Sequence, residues 1–138
     1  MRYRALSLQD RIDIQDLFSW YGYLVDENRE QEWVELFTED GVFDAPGLGR
    51  WEGRERVREI CQMVAAGSQG KWRHKLLNVV AEPGDTPDTA RFRCNGLVTY
   101  WDQEPAAMTF NDYSGRLRKI DGDWKIVELV AVANKITV

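Results

Sequence analysis

From Trp72 to Ala133 the chain is a succession of four long β-like runs with only short turns between them. The first run is Trp72 to Glu82, closed by Pro83-Gly84-Asp85-Thr86-Pro87. The second is Thr89 to Trp101 and the third is Ala107 to Ile120. Asp121-Gly122-Asp123 is a tight-turn signal that leads into the last, Trp124 to Ala133. Long runs joined by turn chemistry pair as hairpins, so this half predicts an antiparallel meander. A sheet of that kind must bury one face, and the first half of the chain supplies the cover.

That first half carries helical spacing. Ser7 followed by Asp10 is a helix-start arrangement, a serine oxygen and a first-turn acid set against free backbone amides. Apolar residues recur at Ile14, Leu17, Phe18, Tyr21, Leu24 and Val25, which predicts a helix over 8–26. Asn28 to Thr38 predicts a second, with Trp33, Leu36 and Phe37 as its apolar stripe, broken by Asp40-Gly41. Val42 to Ala45 is a short strand that turns at Pro46 to Gly49 and returns as Arg50-Trp51-Glu52. Gly53 opens a third helix, with Val57, Ile60, Cys61 and Val64 on one side, and Gly67 to Gly70 ends it. The expected architecture is α+β: three helices packed on a strongly curved, mixed or antiparallel sheet that encloses a pocket. The chain's 138 residues form a single domain, 1–138. The hollow between curved sheet and helices is the usual place for a ligand.

Composition removes several function classes. The net charge of −5 argues against a nucleic-acid partner, which needs clustered positive charge. No long apolar run offers a membrane span. Met1-Arg2-Tyr3-Arg4 leads into the first helix without a secretory core, so a soluble, cytoplasmic protein is expected. Cys61 and Cys94 lack the spacing of a disulfide framework or a zinc motif and are expected as free, buried thiols. One histidine and two distant cysteines cannot supply a usual zinc site, and no Gly-rich phosphate loop is present. No metal and no cofactor is therefore expected.

The one histidine, His74, lies in the first long run. Strand alternation places it on a face with Trp72, Leu76, Asn78 and Val80, while Arg73 and Lys75 point the other way. An imidazole on an inner face is either a packed core group or a proton carrier. In the last run Glu128 alternates with Trp124, Ile126, Val130 and Val132, which predicts an inward carboxylate. Burying one is costly unless it is paired or protonated. Glu128 is then either a second acid/base group, a group that holds a substrate hydroxyl, or the partner of an arginine such as Arg116 or Arg118. Tyr23 stands three residues before Asp26 at the end of the first helix, and Asn111 and Tyr113 share a face of the third run. Each is a candidate to hydrogen-bond a ligand or to be satisfied within the fold. Trp20, Trp51, Trp72 and Trp101 either form an aromatic wall or pack ordinarily.

The order helix, helix, short hairpin, helix, four long strands resembles the nuclear transport factor 2-like cone fold. Asp10-Arg11-Ile12-Asp13-Ile14-Gln15-Asp16-Leu17, Tyr21 to Asp26, Trp33 to Phe43, Trp51 to Glu55 and Gly122 to Ile126 sharpen the match. Together they resemble the SnoaL-like branch, which includes scytalone dehydratase and hexachlorocyclohexane dehydrochlorinase. The resemblance implies an aspartate near the end of the first helix paired with a histidine on the first long strand, at Asp26 and His74 here. It implies a cofactor-independent dehydratase, isomerase or cyclase acting on a small hydrophobic cyclic, polyketide- or terpenoid-like substrate. The catalytic set is then His74, Asp26 and Glu128, with Tyr23, Asn111, Tyr113 and Trp72 toward the substrate. The dehydrochlorinase pattern has an arginine where this chain has Glu128, which puts cation-assisted chloride departure in doubt. Two other classes share the fold: a non-catalytic small subunit of a ring-hydroxylating oxygenase, and a binding module for a small ligand. Self-association as a homodimer or homotrimer is also implied, through an outer sheet face carrying Leu77, Val79, Leu97, Leu117 and Leu129.

Overall fold

The computed structural model describes residues 6–102 and 104–136; Met1 to Arg4, on which the absence of a secretory core was argued, lie outside them. Helix α1 runs Leu8–Asp26. The Ser7 hydroxyl accepts the Asp10 N–H at 3.0 Å, so the start signal acts as expected. Ile14, Leu17, Phe18, Tyr21, Leu24 and Val25 all turn into the core. Helix α2 is only Glu30–Val34, shorter than the Asn28 to Thr38 expected. Its last apolar residue begins a strand instead. Strand β1 is Phe37–Ala45, Phe37 pairs parallel with Ile126, and the Ile126 N–H donates to Leu36 O at 2.8 Å. Helix preference is worth only tenths of a kcal/mol per residue, so pairing in the sheet overrides it.

Strand β2 is Gly49–Glu52 and returns along β1 as the expected hairpin. Helix α3 spans Arg54–Ser68, entered through Gly53 at φ 86°, a conformation that favours glycine. The meander follows as β3 (Trp72–Pro83), β4 (Thr89–Tyr100), β5 (Ala107–Ile120) and β6 (Asp123–Ile136). The six-stranded sheet has the order β2-β1-β6-β5-β4-β3, parallel only between β1 and β6. It is an α+β, nuclear transport factor 2-like fold with an open, curved sheet.

Two irregularities decide which side chains face inward. In β3, Leu77 pairs with Asn95 and Val80 with Arg93, so Asn78 and Val79 together face the single position of Cys94. Asn78 takes φ 55°, a left-handed conformation asparagine tolerates. In β6, Ile126 pairs with Leu117 and Glu128 with Arg116, leaving Val127 extra. Because side chains alternate with period two, each extra residue exchanges the faces beyond it. Val79 and Leu129 therefore pack inward, while Asn78, Val80 and Glu128 leave the faces that strict alternation predicts. Leu117 has the parity of Asn111 and Tyr113 and joins them in the core. The apolar outer set expected from sequence thus loses Val79, Leu117 and Leu129.

Aromatic rings fill the space between helices and sheet. Phe18 meets Phe92 with ring centres 4.5 Å apart, and Trp33 touches both Tyr21 and Phe37. Cys61 and Cys94 are free and buried, and burial pushes their thiols up to about 11 and about 12 respectively. No helix among the described residues is long and apolar enough to cross a membrane.

Candidate active site

Asp26 is the final residue of α1. A carboxylate there sits badly with the helix dipole, whose negative end is the C-terminus. Among the described residues, its hydrogen bonds come from one residue of β3. The backbone N–H of His74 donates to Asp26 Oδ2 at 2.8 Å, and His74 Nδ1 lies 2.6 Å from Asp26 Oδ1. A carboxylate only accepts, so Nδ1 carries the hydrogen and Nε2 keeps its lone pair. Both side chains are largely buried, 7% exposed for Asp26 and 11% for His74. The two contacts lock the ring plane and the tautomer together.

Gly22 makes this approach possible. A Cβ at Gly22 would stand 2.7 Å from the carbonyl oxygen of His74, so only a glycine lets α1 lie this close to β3. One helical turn later the chain delivers Asp26 to the same residue.

Around the dyad the inner face carries a polar set. Asn111 is buried, and its amide donates to Gly96 O at 3.0 Å and to Thr109 Oγ1 at 3.3 Å. The Tyr100 hydroxyl lies 3.1 Å from the same Thr109 oxygen. Tyr113 is buried and its ring lies against Gly96. Trp72 is half-buried, with its ring edge-on to Tyr100 at 4.9 Å and its indole N–H donating to Asp102. Tyr21 was not picked out from sequence as a site residue. It is only 2% exposed, with its ring 6.3 Å from that of Tyr113. Its helical parity assigned it to the core, where the structure places it.

Other expectations are corrected. Tyr23 is 61% exposed and rests against Trp20, because three residues before Asp26 is the solvent side of α1. Glu128 lies on the outer face, 3.6 Å from Arg50, which also binds Asp44 and Glu52. The extra residue at Val127 is the cause. Glu128 is therefore an arginine partner, though of Arg50 rather than of Arg116 or Arg118. The aromatic wall does not form as a unit: Trp20 and Trp101 are exposed, and Trp51 packs on Phe43. Among the described residues, no group of three or more His, Cys, Asp or Glu is placed to hold a metal ion.

A family model described as a SnoaL-like domain matches residues 6–130. The chain belongs to that family. An uncharacterized protein of Mycobacterium tuberculosis is 26% identical to this SnoaL-like chain over 125 residues, 89% of the chain and 84% of the relative. A solved M. tuberculosis protein of unknown function superposes with a TM-score of 0.82 at 26% identity, covering 93% of this chain and 73% of that one. The hexachlorocyclohexane dehydrochlorinase LinA-type3 of Novosphingobium barchaimii superposes with a TM-score of 0.76 at 22% identity, covering 94% and 90%. A candidate scytalone dehydratase of Novosphingobium aromaticivorans does so with a TM-score of 0.81 at 20% identity, covering 96% and 91%. At these last identities the likeness is one of fold.

Proposed function

We propose that this SnoaL-like chain is a cofactor-independent acid–base enzyme of the dehydratase, isomerase or cyclase type. His74 is the base, Asp26 orients it, and the substrate is a small hydrophobic cyclic compound, polyketide- or terpenoid-like. The observation that carries this is the double contact between Asp26 and His74, which leaves Nε2 as a lone-pair nitrogen on the inner face. A histidine held so can take a proton beside a carbonyl or a leaving group near neutral pH. The imidazolium formed is stabilised by the carboxylate behind it and can return the proton to a departing oxygen or a second carbon. No separate acid is needed from Glu128, which faces Arg50 outside. Trp72 supplies apolar surface, and Asn111 and Tyr113 supply polar contacts on the same inner face as His74. The dehydratase and dehydrochlorinase among the structural neighbours support the reading, since both names denote elimination.

Proton exchange tests the base without requiring the natural substrate. With 2-tetralone in deuterated water, the wild type is expected to speed hydrogen loss beside the carbonyl, followed by NMR. His74→Ala and Asp26→Asn should lower that rate by about a hundredfold or more. Glu128→Gln should leave it unchanged. Equal rates for wild type and His74→Ala would remove His74 as the base.

A further inference from the structure

We infer that Asp102 is a positioning residue for specificity: it fixes the Trp72 indole as a rigid wall beside the dyad, so that the site takes flat, fused-ring compounds and turns away globular ones. The assignment rests on the inner face beside His74 being where the substrate binds. Trp72 lies on that face of β3, two residues before His74, and pairs with Tyr100 of β4 as His74 pairs with Val98. It is the next inward side chain from the base, toward the end of the sheet where β3 starts, β4 stops and β5 starts. Helix α1 brings its last residue, Asp26, to the same end, and α3 stops there at Ser68, just before β3. Trp72 therefore stands at the rim of the site, on the strand that carries the base.

The indole is held from three directions. Its N–H donates to Asp102 Oδ1 at 3.1 Å. The Tyr100 ring stands across it at 74°, with centres 4.9 Å apart. Helix α3 lies on its benzene end: a Cβ at Gly67 would come within 2.9 Å of Trp72 Cη2, so a larger residue there would press the ring off the helix. Asp102 itself is an exposed residue of the turn after β4. That turn is tied to the start of β3 at a second point, where the Trp101 N–H donates to Lys71 O at 3.1 Å. The Lys71 N–H donates in turn to Ser68 O at 2.9 Å, and the Ser68 hydroxyl accepts the Gly70 N–H at 3.2 Å. Backbone bonds thus join α3, β3 and the turn, and Asp102 is delivered to the indole by a segment already fastened beside it.

This fixation has a consequence for what fits. A carboxylate makes a stronger acceptor for the indole N–H than water or a neutral group does, so the ring stays in one orientation. Two aromatic planes near perpendicular form a corner. A flat ring lies along one plane with its edge to the other, the offset and edge-on geometries that aromatic rings prefer. A wall set in place beforehand also spares the ligand the cost of ordering it. A globular compound of the same carbon count needs the indole turned aside, against both Asp102 and Gly67. Asp102 points at the indole N–H and acts on a ligand only through Trp72.

The test compares 2-naphthol, flat, with borneol, a globular alcohol of the same carbon count. 2-Naphthol is titrated by its own fluorescence, excited beyond tryptophan absorption, and borneol by displacing it. The wild type should bind 2-naphthol saturably and prefer it to borneol. Asp102→Ala should cut that preference about tenfold, by weakening 2-naphthol and admitting borneol. Asp102→Asn keeps an acceptor oxygen and should restore the preference. In a Trp72→Phe background, which lacks the N–H, Asp102→Ala should change nothing further. The assignment is overturned if Asp102→Ala keeps the wild-type preference, if Asp102→Asn loses it as the alanine does, or if Asp102→Ala still acts without the indole. It also falls if the wild type binds no 2-naphthol, or if Asp102→Ala weakens both ligands alike, which means damaged packing. The titrations involve no proton transfer, so a failure of His74 as base in the exchange experiment stays separate from a failure of Asp102.

Discussion

Two aspartates of α1 show what a single residue can do at opposite ends of one helix. Asp26 closes the helix, where its charge is unfavourable, and among the described residues it is held by His74. Asp10 opens it, where negative charge is welcome. Lys119 Nζ lies 2.8 Å from Asp10 Oδ1, the Trp124 indole N–H donates to the same oxygen at 2.9 Å, and the Ser7 hydroxyl donates to the other. The hydrogen bond from Lys119, then that from Ser7, outweigh burial and bring the Asp10 carboxyl from 3.8 to about 2. A carboxyl lowered by folding contributes stability above its unfolded pKa and loses it as pH falls through the folded one. Asp10 should thus support the fold fully above pH 4 and lose that support between about pH 4 and 2. With a partly exposed lysine as partner, about 1 kcal/mol survives screening. Acid titrations of wild type and Asp10→Asn, followed by circular dichroism, should differ by about that amount near neutrality and converge near pH 2. A constant difference down to pH 2 would mean the aspartate acts by shape alone.

At the scale of elements, the site depends on how closely α1 lies on β3. Gly22 sets that distance through its contact with the His74 carbonyl. Gly22→Ala forces the helix away from the strand or bends one of them, at a cost of roughly 1–3 kcal/mol. It should also separate Asp26 from His74. Urea denaturation is expected to show the loss in stability, and the exchange rate with 2-tetralone should fall further than stability alone explains. An alanine variant as stable and as active as the wild type would show that the helix has room to spare. Sequence pattern found every element here and nearly every boundary, because capping, apolar spacing and turn residues act locally. It overextended α2, because the pairing of Phe37 with Ile126 joins residues far apart in the chain.

For the whole molecule, the outer face of the sheet is the surface proposed for self-association. Its exposed apolar residues are Leu77, Val80, Met108, Phe110 and Val132, with Leu97 half-buried among them. A hydrogen-bonded seam crosses four strands beside them, from Asn78 to Asn95 to Asp112 to Asn134. An apolar face of this extent suits a second copy of the chain. Phe110→Asp should shift the sedimenting species toward the single-chain mass of 16.0 kDa without loss of helix or sheet signal. A wild type that already sediments at that mass at micromolar concentration removes the self-association proposal. The chain order by itself determined the α+β layout and the meander, because these follow from periodicities and signals written over neighbouring residues, while the pairing of Asp26 with His74 was implied only by the resemblance to the SnoaL-like family. Only the tertiary structure decided that Glu128 faces Arg50, that Leu129 and Val79 are core, that Tyr23 is exposed and that Tyr21 faces Tyr113. The physical reason is the same at each strand position: one extra residue in a ladder reverses every side chain beyond it, and where that residue falls is settled by the partner strand rather than by the strand's own sequence.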